Sequence, residues 1–191
     1  MDVKVVKEEG YEEALLGLGL SFYKESEDLD LWWDDKKLDK MRKVAKKLSQ
    51  KGPSHSKFIR LCNLTILIKA PRFFWSEFDT YKIGTTGLSS STMHTLLKEP
   101  LTQQHFEYPL LGTYLDYLNR LIKEGNFKIE SMKNALPEGY LQTRLILMNY
   151  QTLRTIIAQR QNHRLPQWRM FIKKMKEQVK YKELLEGVNY E

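Results

Sequence analysis

Few residues in this chain have a type and spacing that suggest chemistry, and those few point toward an anion. The loop Gly84-Thr85-Thr86-Gly87 can turn backbone amides onto a phosphate, although two glycines make a generic pattern. Ser90 follows in the same Ser/Thr-rich stretch, where its hydroxyl either meets a ligand or caps a helix starting near Ser91. Arg144 and Arg160 fall in a segment that reads as one long helix, and taken alone they are surface arginines on it. Asn149 between them stands out, because asparagine is a poor helix former and needs a reason to sit mid-helix. His55, His94, His105 and His163 have no metal-like spacing to one another or to carboxylates. No serine-histidine-acid set, phosphate-binding P-loop or dinucleotide glycine fingerprint is present. Cys62, the single cysteine, lies in the apolar run Leu61–Ile68 and reads as a buried inert thiol.

The chain of 191 residues is 41% hydrophobic and 29% charged, which is globular composition and enough for a real core. We read residues 1–191 as a single domain. The start, MDVKVVKEEG, lacks the apolar core of a signal peptide, and no run approaches the ~18 apolar residues of a membrane span. A soluble, cytoplasmic protein is expected. The net charge of +7, from 31 basic against 24 acidic residues, favours an anionic partner. Nucleic acid and a phosphorylated small molecule both satisfy it. Segments 36–51 and 173–182 hold much of the basic charge and read as amphipathic helices with solvated outer faces, without an accompanying nucleic-acid motif.

The elements that must position these residues follow from pattern. Residues 2–7 alternate as a strand, Glu8–Gly10 is a turn, and Tyr11–Tyr23 is a helix with Ala14, Leu15, Leu18 and Phe22 on one side. Glu25–Asp35 is a loop or cap around Trp32 and Trp33. A helix covers 36–50 and stops at Gly52-Pro53. Leu61–Lys69 is a buried strand, and Pro71 opens a helix over Arg72–Tyr81. Within it Phe73, Phe74, Trp75 and Phe78 form a core stripe, or else a surface for a flat ring. Gly84–Ser91 reads as a loop. Helices are then expected at 109–124, 129–136, 140–160 and 166–179. The sum is an α+β fold with a short sheet and long helices.

Two stretches resemble the flavin-dependent thymidylate synthases, the ThyX-like family. The first is Lys69-Ala70-Pro71, continuing through Thr80, Tyr81 and Lys82, then seven residues to Ser90, with Thr92 two positions on. The family carries Lys-Ala-Pro there, then Arg-His-Arg, seven residues, Ser, and a further Arg. The second stretch is Leu136-Pro137, Thr143-Arg144, Asn149-Tyr150-Gln151-Thr152-Leu153, Arg160 and Gln167-Trp168. It resembles the family's Leu-Pro, Thr-Arg, Asn-x-Arg-Ser-Leu, Arg and Ala-Gln-x-Glu, with a one-residue slip after Pro137 and another before Gln167. Similar sequences occur among phages and prophages, so the resemblance also implies a phage-encoded origin.

The resemblance implies a homotetramer with sites shared between subunits, making thymidylate from dUMP with FAD, NADPH and methylene-tetrahydrofolate. Ser90 then hydrogen-bonds the nucleotide phosphate, and Arg144 pairs with it through its guanidinium fork. Arg160 matches the arginine that contacts the pyrimidine ring and stabilises negative charge on it, and is the catalytic candidate. Thr80, Tyr81, Lys82 and Asn149 fall at cofactor-binding positions. Thr80, Tyr81, Thr92 and Gln151 replace charged family residues, and Lys82 keeps only a point charge. Charge-assisted hydrogen bonds of ~1.5–3 kcal/mol each imply ligand affinity lowered by several powers of ten. A dUMP-like pocket with altered or lost activity is therefore expected. NADPH and folate belong only to an active enzyme. Two other classes remain: a non-catalytic phage protein sequestering a nucleotide or nucleotide signal, and a nucleic-acid binder using the two basic segments. On one helix Asn149 and Arg160 share a face, whereas Arg144 and Arg160 point roughly 160° apart. That conflict predicts a kink or a site shared across subunits.

Overall fold

The computed structural model describes residues 1–52, 54–125 and 128–186. Strand β1 (Asp2–Glu9) runs past the expected turn, and Gly10 alone reverses the chain into helix α1 (Tyr11–Gly19). Gly10 has φ 85°, and a Cβ there would lie 2.0 Å from the Leu61 carbonyl oxygen, so only glycine fits. The expected helix over Tyr11–Tyr23 ends early in a 3-10 turn, Leu20–Phe22, and Phe22 faces solvent instead of the core. A short helix α2 (Leu29–Trp32) precedes α3 (Asp35–Ser49), whose amino end is capped by Asp34 Oδ1 accepting the Lys37 N–H at 2.8 Å. Strand β2 (Asn63–Pro71) then feeds α4 (Arg72–Phe78) and a 3-10 turn, Asp79–Tyr81.

Two expectations fail beyond this point. Gly84–Ser91 is not a loop throughout, because Thr85–Ser89 form the edge strand β3. After α5 (Thr92–Thr95), α6 (Gly112–Glu124) and α7 (Ile129–Ala135), the expected helix 140–160 divides. Its first half is strand β4 (Leu141–Asn149), its second half is α8 (Tyr150–Arg160), and α9 (Pro166–Gln178) follows. Leucine, glutamine and arginine are willing helix formers, but β4 has nine residues of β2 to pair with, from Asn63↔Asn149 to Pro71↔Leu141. Tertiary pairing overrides the local preference.

The sheet is antiparallel in the order β1-β2-β4-β3. Alternation along β2 and β4 sends Leu64, Ile66, Ile68, Ile146 and Met148 into the main core. That core continues into Phe74, Trp75, Phe78 and, from α9, Trp168 and Phe171, with the Phe74 and Trp168 rings 4.6 Å apart. The aromatic stripe of α4 is thus mainly core, and Cys62 is buried in it. A second cluster, centred on Leu118 of α6, Met132 of α7 and Tyr140, packs the stretch between β3 and β4. The opposite sheet face exposes Leu67, Leu88, Leu145 and Leu147. Among the described residues no helix is long and apolar enough to cross a membrane.

Candidate functional site

Residues 78–90 form an arm that leaves α4, turns at Gly84 and returns along the sheet edge as β3. The register Thr85↔Met148, Gly87↔Ile146 and Ser89↔Arg144 puts these six residues on the sheet's inner face. Phe78, Asp79 and Lys82 lie across from them, and with Thr85, Gly87, Ser89, Arg144 and Ile146 they line a cavity of about 220 Å³. Gly87 keeps its floor open: a Cβ there would sit 2.7 Å from Ile146 Cδ1.

Arg144 is the fixed cation of this cavity. Its Nη1 donates to Asp79 Oδ1 at 2.7 Å and its Nε to Gln142 Oε1 at 3.3 Å. The guanidinium lies 4.3 Å from the centre of the Trp75 ring, a cation–π contact that orients it. Trp75 is held in turn, its indole N–H donating to the carbonyls of Ala70 and Gln142. Gln142 also donates through Nε2 to the Ser90 carbonyl at 3.0 Å. Ser90 itself continues the strand pairing, its N–H donating to the Thr143 carbonyl and its Oγ accepting the Thr143 N–H at 3.3 Å. Its hydroxyl does not cap α5, whose N-cap is Ser91.

A second, smaller cavity of about 180 Å³ lies beside this network. Arg72, Thr92, Lys133, Leu136 and Gln142 line it. Thr92 brings no charge, but Arg72 and Lys133 bring two. Arg72 is paired with Glu138 at 3.1 Å, whereas among the described residues the Lys133 ammonium meets only the Met93 sulfur, at 3.6 Å.

Arg160 occupies different surroundings. Its Nε donates to the Tyr81 hydroxyl at 3.0 Å and its Nη1 to Glu77 Oε2 at 3.3 Å. The guanidinium lies 5.0 Å from the Trp168 ring centre and 5.7 Å from that of Tyr81. Glu77 Oε2 also accepts the Trp168 indole N–H at 2.7 Å and lies 3.4 Å from His163 Nε2. Arg160 is not among the residues lining either cavity.

The remaining candidates divide in the same way. Lys82 is exposed on the wall of the Arg144 cavity. Thr80 is turned back onto the Glu77 carbonyl, and the Tyr81 hydroxyl donates to Gln159 Oε1. Asn149 is not mid-helix: it is the N-cap of α8, its Oδ1 accepting the Thr152 N–H at 2.9 Å and the Thr152 hydroxyl at 3.0 Å. The same hydroxyl lies 3.3 Å from the Gly84 carbonyl, which ties the arm to the start of α8. Because Arg144 is on a strand, the expected 160° conflict with Arg160 disappears within one chain, and it no longer argues for a shared site.

Nothing in the residue pattern marks Gln142, Asp79 or Glu77 as partners. Gln142 and Arg144 are two apart, which becomes informative only once the segment is a strand and both share a face. Among the described residues no group of histidine, cysteine, aspartate and glutamate side chains could hold a metal ion.

No family model matches the chain, and no curated protein matches its sequence. Solved structures do match the fold. A flavin-dependent thymidylate synthase ThyX from Helicobacter pylori, complexed with FAD and dUMP, superposes with a TM-score of 0.77 at 18% identity, over 97% of this chain and 98% of that one. A second structure of ThyX from Helicobacter pylori with FAD and dUMP gives 0.76 at 17%, with the same coverage. A UMP/dUMP methylase, PolB from Streptomyces cacaoi, bound with 5-Br dUMP, gives 0.66 at 15% identity over 92% of this chain and 88% of that one. At these identities the likeness establishes the fold: this chain has the ThyX-like α+β architecture.

Proposed function

We propose that this chain, read as a single ThyX-like domain, binds a dUMP-like nucleotide in the Arg144 cavity, with thymidylate synthase activity altered or lost. The observation that carries the reading is Arg144 itself. A fork-shaped cation, pre-oriented by Trp75 and Gln142, stands on the wall of a cavity beside Lys82 and Ser89 in a fold whose neighbours hold dUMP. A phosphate entering there competes with Asp79 for the guanidinium, and Ser90 adjoins through Gln142. Arg72 and Lys133 supply charge beside Thr92, where the family resemblance puts an arginine. Arg160 remains the proposed contact for the pyrimidine ring, and reaching it requires release from Glu77 or Tyr81.

The FAD of the neighbouring structures tests less well against these residues. The Thr80 and Tyr81 hydroxyls and Asn149 Oδ1 are engaged within the chain, while Asn149 Nδ2 and the Lys82 ammonium make no hydrogen bond or ion pair among the described residues. These four positions do not fit a flavin held in the family's manner, and no step through flavin, NADPH or folate is derived. The same hydrogen bonds favour a second reading, a protein that holds a nucleotide without turning it over.

Self-association, as a homotetramer, belongs to the proposal. Leu67, Leu145 and Leu88 are cross-strand neighbours on three adjacent strands, 40%, 39% and 74% exposed, and Leu147 extends the patch. An apolar sheet face of this kind favours cover by another surface.

Calorimetric titration of dUMP into the purified protein tests the reading, with an FAD absorption spectrum in parallel. Saturable dUMP binding that weakens in Arg144→Ala is expected, and absent binding sinks the nucleotide reading. A retained flavin band would revive the enzyme reading. Sedimentation should show an assembly that Leu145→Asp dissociates; a monomeric parent protein rejects the oligomer.

A further inference from the structure

A further cavity belongs to neither arginine discussed so far. It measures about 570 Å³ and is lined by Tyr11 and Glu12 of α1, by Arg42, Lys43 and Lys46 of α3, and by Lys180, Tyr181 and Glu183 beyond α9. The fold thus brings together the two basic segments that stand far apart in the sequence, 36–51 and 173–182. Positions 42, 43 and 46 fall on one side of α3 because residues three and four apart are helical neighbours.

The charges here are unequally satisfied. Arg42 engages Asp39 at 2.8 Å and Glu12 at 3.7 Å. Lys180 carries its ammonium 5.4 Å from the Tyr181 ring centre. Lys43 and Lys46 are exposed, and their ammonium groups make no ion pair or hydrogen bond among the described residues. Four cations therefore face two carboxylates, and Glu12 is already shared with Arg42 while Glu183 lies 3.5 Å from the Tyr11 hydroxyl. The wall behind them is firm: the Tyr11 and Tyr181 rings stack with centres 3.9 Å apart.

We infer that this groove is a second anion site, which takes the linear polyphosphate of a small molecule, free or as the tail of a nucleotide. Its volume suits one such molecule. Glu12 and Glu183 line the groove too, which disfavours the continuous phosphate backbone of nucleic acid running through it. Its residues come from other elements than the Arg144 cavity, so the two sites fail or stand separately.

The test is calorimetric titration of inorganic tripolyphosphate and of ATP into the full chain, using Lys43→Gln/Lys46→Gln, Lys173→Gln and Arg144→Ala. Lys173 is an exposed control on α9, paired with Glu177. Tripolyphosphate binding is expected to weaken about tenfold in the double variant and to be unchanged in Lys173→Gln, while Arg144→Ala reads what the other cavity contributes. ATP binding more tightly than tripolyphosphate identifies the nucleotide as the source, and equal binding identifies the polyphosphate alone. Absent tripolyphosphate binding overturns the inference, as does a loss in Lys173→Gln equal to that in the double variant. Preferential binding of a single-stranded oligonucleotide, lost in the double variant, also overturns it. A loss confined to Arg144→Ala assigns the binding to the other cavity and overturns this one.

Discussion

Arg144 and Arg160, about equally exposed, both reach the segment that begins with α4, yet from different sides and among different partners. Trp75 and Asp79, one helical turn apart, hold Arg144; Glu77 and Tyr81 hold Arg160. On the Arg160 side, one carboxylate gathers a guanidinium, an indole N–H and an imidazole beneath a buried tryptophan. On the Arg144 side, the acid is the exposed Asp79 and the neighbour is empty space. A cation packed between rings and already bonded is expensive to redirect, because a ligand must outcompete every existing partner. A cation on a cavity wall exchanges one surface partner for a phosphate. The Arg160 side therefore reads as a brace and the Arg144 side as a place to bind.

Substitutions can break that contrast. Trp168→Ala removes the fully buried centre of the brace and should destabilise the fold by about 3–5 kcal/mol in denaturant titration. A loss under about 1 kcal/mol would mean the brace is ornamental. Arg144→Ala should weaken dUMP binding by about 10- to 100-fold with little change in denaturation midpoint. Arg160→Ala should lower stability by about 1–3 kcal/mol and, because Arg160 must first leave Glu77 or Tyr81 to reach the pyrimidine ring, should weaken dUMP binding less than Arg144→Ala does. If Arg160→Ala abolishes binding at unchanged stability, the two sides have been assigned the wrong way round. Gly87→Ala presses a methyl toward Ile146 Cδ1 and narrows the Arg144 cavity. Calorimetry should record weaker dUMP binding there, and none of the brace variants should mimic it.

The smallest effect at neutral pH lies outside both regions. Burial pushes the Cys62 thiol from 9.0 to about 12, and burial followed by the charge of Glu183 pushes the Tyr11 phenol from 10.0 to about 12. Both groups hold their proton more tightly when folded. The stability they confer is complete below about pH 9 and is lost as pH rises toward 12. Thermal midpoints should fall across that window, and Tyr11→Phe should flatten part of the fall. An unchanged profile in Tyr11→Phe would remove Tyr11 from the account.

The sequence made some elements legible for reasons visible in the structure. Asp34 and Gly52 bracket α3, and Pro166 opens α9 at a position where its missing N–H costs nothing. Strand β4 was hidden by its own outer face. Leu145 and Leu147 are apolar although exposed, so Leu-Ile-Leu-Met shows no alternation and is indistinguishable from a buried helical run. Strand β3 was hidden by weakness, since its one large apolar residue, Leu88, faces outward. Arg144, Lys82 and Ser90 were singled out by the spacing of the resemblance, and of these Arg144 and Lys82 line the cavity. Asp79, Gln142 and Glu77 were not, because polar partners matter only once strand and arm have met.

Thr152 gives that meeting a spectroscopic handle. Its amide and hydroxyl meet Asn149 Oδ1, the hydroxyl also lies 3.3 Å from the Gly84 carbonyl, and a Cβ at Gly84 would lie 2.4 Å from that hydroxyl oxygen. There is no slack between the turn of the arm and the first turn of α8. Displacement of the arm by a guest in the Arg144 cavity is thus transmitted to a single, assignable N–H. The chemical shift and exchange rate of that proton would report occupancy of a cavity it never touches.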